Sequence, residues 1–540
     1  MTCGETIVAK LERRGVDTIF GIPGVHNLEL YRGLEKSKIR HILTRHEQGA
    51  GFMADGYARK SGKVGVCFVI SGPGVTNIAT PLAQAYSDSS PVLLISSDAP
   101  SHSLGKGQGH LHEVEDLTAV TRPYTAFSQT IKEPKDILFA LEEAFNVFVC
   151  RRPRPVHLAI PLDVLAADMF EGISVHRPYI MPQADPEDLA RALEVLENSH
   201  SPLIVVGAGV KNHHESSGYL DRLANHLAAP VISSNAAKGL LPDSHPLSLG
   251  SRLGHSAGAK LLAEADSVLS LGAEFGRADF WSGYHEPGGR AGQEHIQIDI
   301  DPQKLDQFPE VSQRIRADAY KSLEDFCDHL KPERRATSEQ LAASQERVAA
   351  LKASEQARLE PLAKQHQNIL QSIRRASSKD VSLVADMTQI AYSAITLWEA
   401  EEPNCWFFPT GYGTLGFALP AAIGVKMAAP EKEVVALVGD GGLQYTLQEL
   451  GTAAEQGLAI CIVLWNNQGL GEIARSLEAV DIEAKDEYIR PLNPDFVALA
   501  QAYHCHALRV RSADELEEAV RNSHKQLAPT LIEVMQHDKA

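Results

Sequence analysis

The chain has 540 residues, 44% of them hydrophobic and 22% charged, the make-up of a soluble globular protein too long for a single core. A formal net charge of −18 argues against a nucleic-acid partner, which needs clustered Lys and Arg to neutralise phosphate. No apolar run approaches the ~20 residues of a membrane span, and the opening MTCGETIVAKLERRG enters an amphipathic helix without a secretory pattern; we expect a cytoplasmic protein with no membrane contact.

Residues 1 to about 165 alternate helix and strand. A helix to Arg14 precedes a strand Thr18 to Phe20, the turn Gly21-Ile22-Pro23-Gly24, a helix and a strand His41 to Thr44. Next come a helix Glu47 to Arg59, a strand Val64 to Ile70, the turn Ser71-Gly72-Pro73-Gly74, a helix and a strand Val92 to Ser96. This alternation predicts a doubly wound parallel α/β sheet. The segment Pro178 to Pro186, with a further proline at Pro182, reads as a connector.

A second unit begins at Pro202 with LIVVGAGV, followed by PVISSN, SVLSLGAEF and IQIDID, the pattern of a Rossmann-like sheet. Gly207-Ala208-Gly209 carries only part of a dinucleotide signature, so a tight strand-to-helix turn is the better reading there. Lys331 to Glu360 has no Gly and few apolar positions, which suits a solvated connecting helix. The third unit starts near Val381 with SLVADM and shares the doubly wound pattern of the first. The expected organisation is therefore three α/β domains: 1–170, a central 188–330, a connecting helix 331–360, and 361–540. The cysteines Cys3, Cys67, Cys150, Cys327, Cys405, Cys461 and Cys505 are odd in number and form no CxxC pair, so we expect buried free thiols rather than disulfides or zinc.

The most informative stretch is Val434 to Ile473. The buried apolar run Val434 to Val438 ends in Gly439-Asp440-Gly441-Gly442, as a strand feeding a phosphate loop would. Helical spacing covers Gln444 to Gln456 and stops at Gly457, and Ala459 to Trp465 is a second buried strand ending in Asn466-Asn467. In a right-handed βαβ unit the two strands end on the same sheet edge, which brings Asp440 close to Asn467. Carboxylate, amide and loop glycines make an oxygen-rich set suited to Mg²⁺ and a diphosphate. GDGG alone is also a common turn; the Asn-Asn pair after 24 intervening residues is what gives it weight.

Gly439-Asp440-Gly441 with Asn466-Asn467 resembles the thiamin diphosphate motif of the superfamily of acetolactate synthase, pyruvate decarboxylase and benzaldehyde lyase. The resemblance implies a fold of pyrimidine-binding, middle and diphosphate-binding domains, and thiamin diphosphate with Mg²⁺ as cofactors. It implies that Asp440, Asn467 and the Gly469 carbonyl hold Mg²⁺, with Gly439, Gly441 and Gly442 in the diphosphate loop. Arg45-His46-Glu47, opening a helix with Ala50, Met53, Ala54 and Tyr57 on one face, is similar to the superfamily signature in which the Glu bonds the aminopyrimidine nitrogen. That makes Glu47 the catalytic proton-relay residue. Gly411-Tyr412-Gly413-Thr414-Leu415-Gly416 resembles the segment beneath the cofactor, with Leu415 bending it and the Gly413 carbonyl accepting from its amino group. Pro73 and Asn77 in SGPGVTN match the loop facing the pyrimidine. In the family these halves come from two subunits, implying a homodimer at the minimum and a homotetramer as the usual state.

For the reaction, the resemblance implies decarboxylation or ligation of a small 2-oxo acid. His26 falls where benzaldehyde lyase has a pocket histidine, and His112, beside Leu111, where acetolactate synthases carry Gln; both are candidate proton carriers and substrate contacts. Against both stands the reading of an ordinary loop histidine. The tryptophan that acetolactate synthases carry a few residues past the asparagines is missing. Glu472 stands where related lyases and decarboxylases have a small alanine in the substrate pocket, and a buried carboxylate there calls for a cation. The expected substrate is therefore 5-guanidino-2-oxopentanoate, and the chain resembles the ketoarginine decarboxylases of this superfamily. A carboligase, a decarboxylase of uncharged oxo acids and a non-catalytic regulatory homologue are the alternatives.

Overall fold

In the computed structural model of the chain, residues 1–169, 175, 178–211, 215–280, 292–307 and 310–536 are described; residue 170, the expected end of the first domain, lies outside them. Three six-stranded sheets carry the architecture, each with parallel strand pairing. Numbered in chain order within each sheet, the first and third run 2-1-3-4-6-5, so the shared pattern expected from the sequence extends to strand order. The middle sheet runs 6-5-4-1-2-3, which read from its other edge is the doubly wound 3-2-1-4-5-6 order.

Two compact units emerge: Met1–Tyr179 with Leu383–Gln389 and Gly411–Ala540, and Ile180–Ser382 with Ile390–Thr410. In the first unit the strands Ile19, Val66, Phe68, Leu93, Ile95, Val156 and Leu158 bury one face against the helices Cys3–Arg13 and Ile137–Cys150. Strands covered on both faces are apolar throughout, which is why Val434–Gly439 and Cys461–Asn466 are buried at every position. Helix Glu47–Ser61 and helix Ala418–Ala428 approach until backbones touch: a Cβ at Gly424 would lie 1.9 Å from the Met53 carbonyl, and one at Gly56 would lie 2.3 Å from that of Ala421.

In the second unit, Val348 and Leu351 of helix Ser338–Ala357 join the apolar cluster of the middle sheet while the rest of the helix stays partly or fully exposed. All seven cysteines are free and buried. No helix among the described residues is long and apolar enough to cross a membrane.

One expected helix is broken. The span Gln444 to Gln456 holds no continuous helix; Asp440–Leu443 is a single turn and the helix proper is Glu449–Glu455. Between them the amides of Thr446, Glu449, Leu450 and Gly451 bond three residues back, and the Thr446 hydroxyl donates to the Gly416 carbonyl at 2.8 Å. A tertiary bond thus tightens the chain where side-chain periodicity alone predicts a regular helix.

Candidate active site

The strands Val434–Gly439 and Cys461–Asn466 pair in parallel with Gly439 opposite Trp465, so both end at one sheet edge. Asp440 and Asn467 leave that edge together, as the spacing predicts. The Gly469 amide donates to Asn467 Oδ1 at 3.3 Å and also faces the Asp440 carboxylate, which brings the three expected metal-binding residues into one corner. Asp440 is almost fully buried; burial pushes its pKa up, opposed by the amides of Asn493, Gly441 and Gly469. Gly441 and Gly442 fall in the first turn after Gly439, where backbone amides have no partner within the helix. A carboxylate, an amide oxygen and a carbonyl form a hard, all-oxygen donor set that fits Mg²⁺ with a diphosphate completing its shell.

Three side chains that the sequence did not single out fix this corner. Asn493 Nδ2 donates to Asp440 Oδ2 at 2.6 Å, and Gln444 Nε2 bonds both Asn493 Oδ1 and the Asp440 carbonyl at 3.0 Å. Gln389 Oε1 accepts from Asn467 Nδ2 at 3.1 Å.

Glu47 opens its helix, with His46 as N-cap accepting from the Gln48 amide through Nδ1 at 3.0 Å. The Glu47 carboxylate is buried and accepts from Asn77 Nδ2 at 2.9 Å. Asn77 ends the short helix Pro73–Asn77, which Pro73 starts after the left-handed Gly72. Two motifs picked out separately in the sequence therefore meet at one carboxylate.

Residues 1–120 match the N-terminal TPP binding domain of thiamine pyrophosphate enzymes, 189–326 the central domain, and 386–534 the C-terminal TPP binding domain. A probable 2-ketoarginine decarboxylase of Pseudomonas aeruginosa is 46% identical over 99% of this chain and 94% of its own. The chain belongs to the thiamine pyrophosphate enzyme family. An acetolactate synthase large subunit of Corynebacterium glutamicum is 33% identical, covering 97% of this chain and 84% of that one. A thiamine diphosphate-dependent 4-hydroxybenzoylformate decarboxylase from Rhodococcus jostii RHA1 superposes with a TM-score of 0.84 over 100% of both chains at 23% identity, a likeness of fold.

Elsewhere in this thiamine pyrophosphate enzyme, His26 and His112 come together, their rings in an edge contact with centroids 5.0 Å apart. His26 Nδ1 lies 3.2 Å from the Ser71 hydroxyl. Burial, followed by the nearby His112 and His110, lowers the His26 pKa below its ordinary value, which favours the neutral ring. His112 is held in a left-handed backbone (φ 65°) against Gly72, where a Cβ would lie 2.6 Å from the His112 carbonyl. Leu111 beside it is exposed.

The turn bearing Leu415 is fixed by Asp386, a buried carboxylate that closes the strand Ser382–Ala385. Its oxygens accept from the amides of Gly416 and Ala418, each at 3.0 Å. Burial pushes the Asp386 carboxyl up to about 6 despite these amides. Gly413 and Gly416 are both left-handed (φ 71° and 83°), which leaves Leu415 half-buried between two turns. Asp88 holds the upstream end, accepting from the Gly411 amide at 2.8 Å.

Two expectations need correction. Glu472 is half-buried rather than buried: it lies in the first turn of helix Gly471–Ala479, none of whose residues is buried. Its carboxylate has no hydrogen-bond or ion-pair partner among the described residues. The helix expected over Gln444 to Gln456 does not follow the phosphate loop directly, which continues only into the single turn Asp440–Leu443. In the middle domain the Gly207 and Gly209 amides are already bonded to the carbonyls of Leu271 and Gly272. A Cβ at Gly207 would lie 1.9 Å from the Gly272 carbonyl, so this pair serves a close approach of the turns that end two adjacent parallel strands.

Proposed function

We infer that this thiamine pyrophosphate-dependent 2-oxo acid decarboxylase acts on an acid with a cationic tail, 5-guanidino-2-oxopentanoate in first place, giving 4-guanidinobutanal and CO₂. The observation that carries the cofactor chemistry is the pairing of Asp440, Asn467 and Gly469 in one oxygen-lined corner with a second, buried carboxylate at Glu47. Bound thiamin diphosphate supplies the electron sink that lets a 2-oxo acid lose CO₂. Asp440, Asn467 and the Gly469 carbonyl would hold Mg²⁺, and the Gly441 and Gly442 amides would hold the diphosphate. Glu47, steadied by Asn77, would hold a proton against the pyrimidine ring. Leu415 would fill the space beneath the cofactor, and the Gly413 carbonyl would accept from its amino group.

His26 and His112, in contact with one another, would contact substrate beside Leu111 and carry the proton that completes the product. Glu472 supports the cationic substrate. A Cβ at Gly471 would lie 2.5 Å from Asn467 Nδ2, so Glu472 sits one residue from contact with the metal corner and offers an unpaired carboxylate. A guanidinium would take a bidentate, charge-assisted bond from it. The 46% identical relative, a probable 2-ketoarginine decarboxylase, supports the same substrate. Assembly as a homodimer or homotetramer, a cytoplasmic location and the domain bounds 1–170, 188–330 and 361–540 belong to this reading as well.

The test is CO₂ release with aldehyde analysis by protein stripped of cofactor and reconstituted with thiamin diphosphate and Mg²⁺. Aldehyde and CO₂ in equal amounts, dependent on both additions, support the reading. A ligated hydroxyketone as the main product identifies a carboligase instead.

A further inference from the structure

Glu449 opens the helix Glu449–Glu455, in the connection between the strands that deliver Asp440 and Asn467, yet its carboxylate reaches the start of a different helix. Oε1 and Oε2 lie 3.1 and 3.2 Å from the Arg45 amide, and Oε1 accepts from the His46 amide at 3.0 Å. These are the two backbone groups immediately before Glu47. The Thr452 hydroxyl donates to Oε2 at 2.7 Å, and the side chain is fully buried. Gly49, one turn into the Glu47 helix, has no room for a Cβ, which would lie 2.3 Å from Glu449 Oε1. The carboxylate is thus enclosed by the backbone on either side of Glu47 and by its own helix.

The mechanism makes no use of this group, although a buried carboxylate is costly unless its oxygens are bonded. Burial pushes the Glu449 carboxyl up, and the Thr452 hydroxyl and the amides of Arg45 and His46 pull it back. The Arg45 side chain adds a second tie, pairing with Glu455 on the same helix. A single short helix is therefore connected at one end to the diphosphate loop and along its side to the turn that aims Glu47.

We propose that Glu449 is the positioning residue for Glu47: by fixing the Arg45 and His46 amides, it sets the height and direction of the first turn that carries the proton-relay carboxylate, and it couples that turn to the diphosphate loop. The inference rests on the reading of Glu47 given above. Glu449 is fully buried with its oxygens bonded within the protein, so its role is to position Glu47 rather than to meet the reacting atoms.

Three variants test it: Glu449→Gln, which keeps the shape but replaces one acceptor with a donor; Gly49→Ala, which displaces the carboxylate from the other side; and Glu47→Gln as the reference. Thr452→Val, which leaves both amide bonds in place, is the control. The first readout is backbone hydrogen exchange of the peptide spanning residues 44–50 in cofactor-free protein, and the second is exchange of the thiazolium C2 proton in bound thiamin diphosphate. Glu449→Gln and Gly49→Ala are expected to raise peptide exchange about tenfold or more and to slow C2 exchange by at least about tenfold, while Thr452→Val changes neither. If either variant fails to fold, the other carries the test. Unchanged peptide exchange in a folded Glu449→Gln protein overturns the proposal. Unchanged C2 exchange there, with Glu47→Gln collapsed, overturns the proposal alone. Parental C2 exchange in Glu47→Gln overturns the Glu47 reading and the proposal with it.

Discussion

Asn77 Nδ2 donates to Glu47 Oε2 at 2.9 Å, tying a loop that follows one strand of the first sheet to a helix that follows another. The bond occupies one carboxylate oxygen and would leave the other, in the role proposed for Glu47, to a ring nitrogen of the cofactor. Glu47→Gln is expected to lower turnover by about a hundredfold to ten-thousandfold, the range for losing a positioned proton-transfer group, while thiamin diphosphate binding changes little. Turnover with saturating cofactor, set beside the cofactor dissociation constant, checks this.

At the proposed metal corner, Asn493 holds one Asp440 oxygen at 2.6 Å and would leave the other to a bound cation. Removing such an orienting partner costs about tenfold to a hundredfold in metal affinity. Asn493→Ala is expected to weaken Mg²⁺ binding within that range, and Asp440→Ala to abolish it. Titration of Mn²⁺ into cofactor-loaded protein, followed by electron paramagnetic resonance, measures both.

That corner shows what the sequence disclosed and what it did not. Two apolar strands with a countable separation fix the Asp440 and Asn467 positions, because parallel strands end on one edge whatever lies between them. Glu47 was legible through the likeness of Arg45-His46-Glu47 to the superfamily signature, since an acidic residue starting a helix reads by itself as a solvated one. Asn493 lies 53 residues from Asp440 and reaches it from an irregular segment, and Glu449 lies 404 residues from Arg45; no periodicity encodes such contacts. Asp386 carried a weak signal, an acid closing a buried strand as Asp440 does, but a solvated strand end reads the same way. The break at 444–448 follows from the Thr446 bond to Gly416, a tertiary override of helical spacing.

The His26 and His112 pair predicts a shifted pH profile. Because burial and the neighbouring histidines hold His26 below its ordinary 6.5, it stays neutral as the pH falls to 6.5 and takes its proton only below that. The acid limb of kcat/KM is therefore expected below pH 6.5. In His112→Gln one opposing group is gone, so the limb should move to higher pH. An unmoved limb would place the titrating group elsewhere.

Stability in acid should depend on His157. It is fully buried between the hydroxyls of Ser96 and Thr121, each at 2.8 Å, and burial lowers its pKa from 6.5 to about 3. Between those values the unfolded chain binds a proton that the native state refuses, so this group's contribution is full above pH 6.5 and is lost as the pH falls. The loss is on the order of 1 kcal/mol per pH unit. His157→Gln should be less stable at pH 8 and should lose stability more slowly than the parent between pH 6 and 4, as urea titrations at each pH would show.

The central claim, a decarboxylase for a cation-tailed 2-oxo acid anchored by Glu472, is tested most directly by kcat/KM for CO₂ release. The comparison is 5-guanidino-2-oxopentanoate against 2-oxohexanoate, pyruvate and benzoylformate, in the parent and in Glu472→Ala. A charge-assisted bidentate bond predicts a preference of about tenfold or more for the guanidino acid. That preference should collapse in Glu472→Ala while the neutral acids keep their rates. Neutral acids turned over as well or better by the parent, with no response to Glu472→Ala, would contradict it.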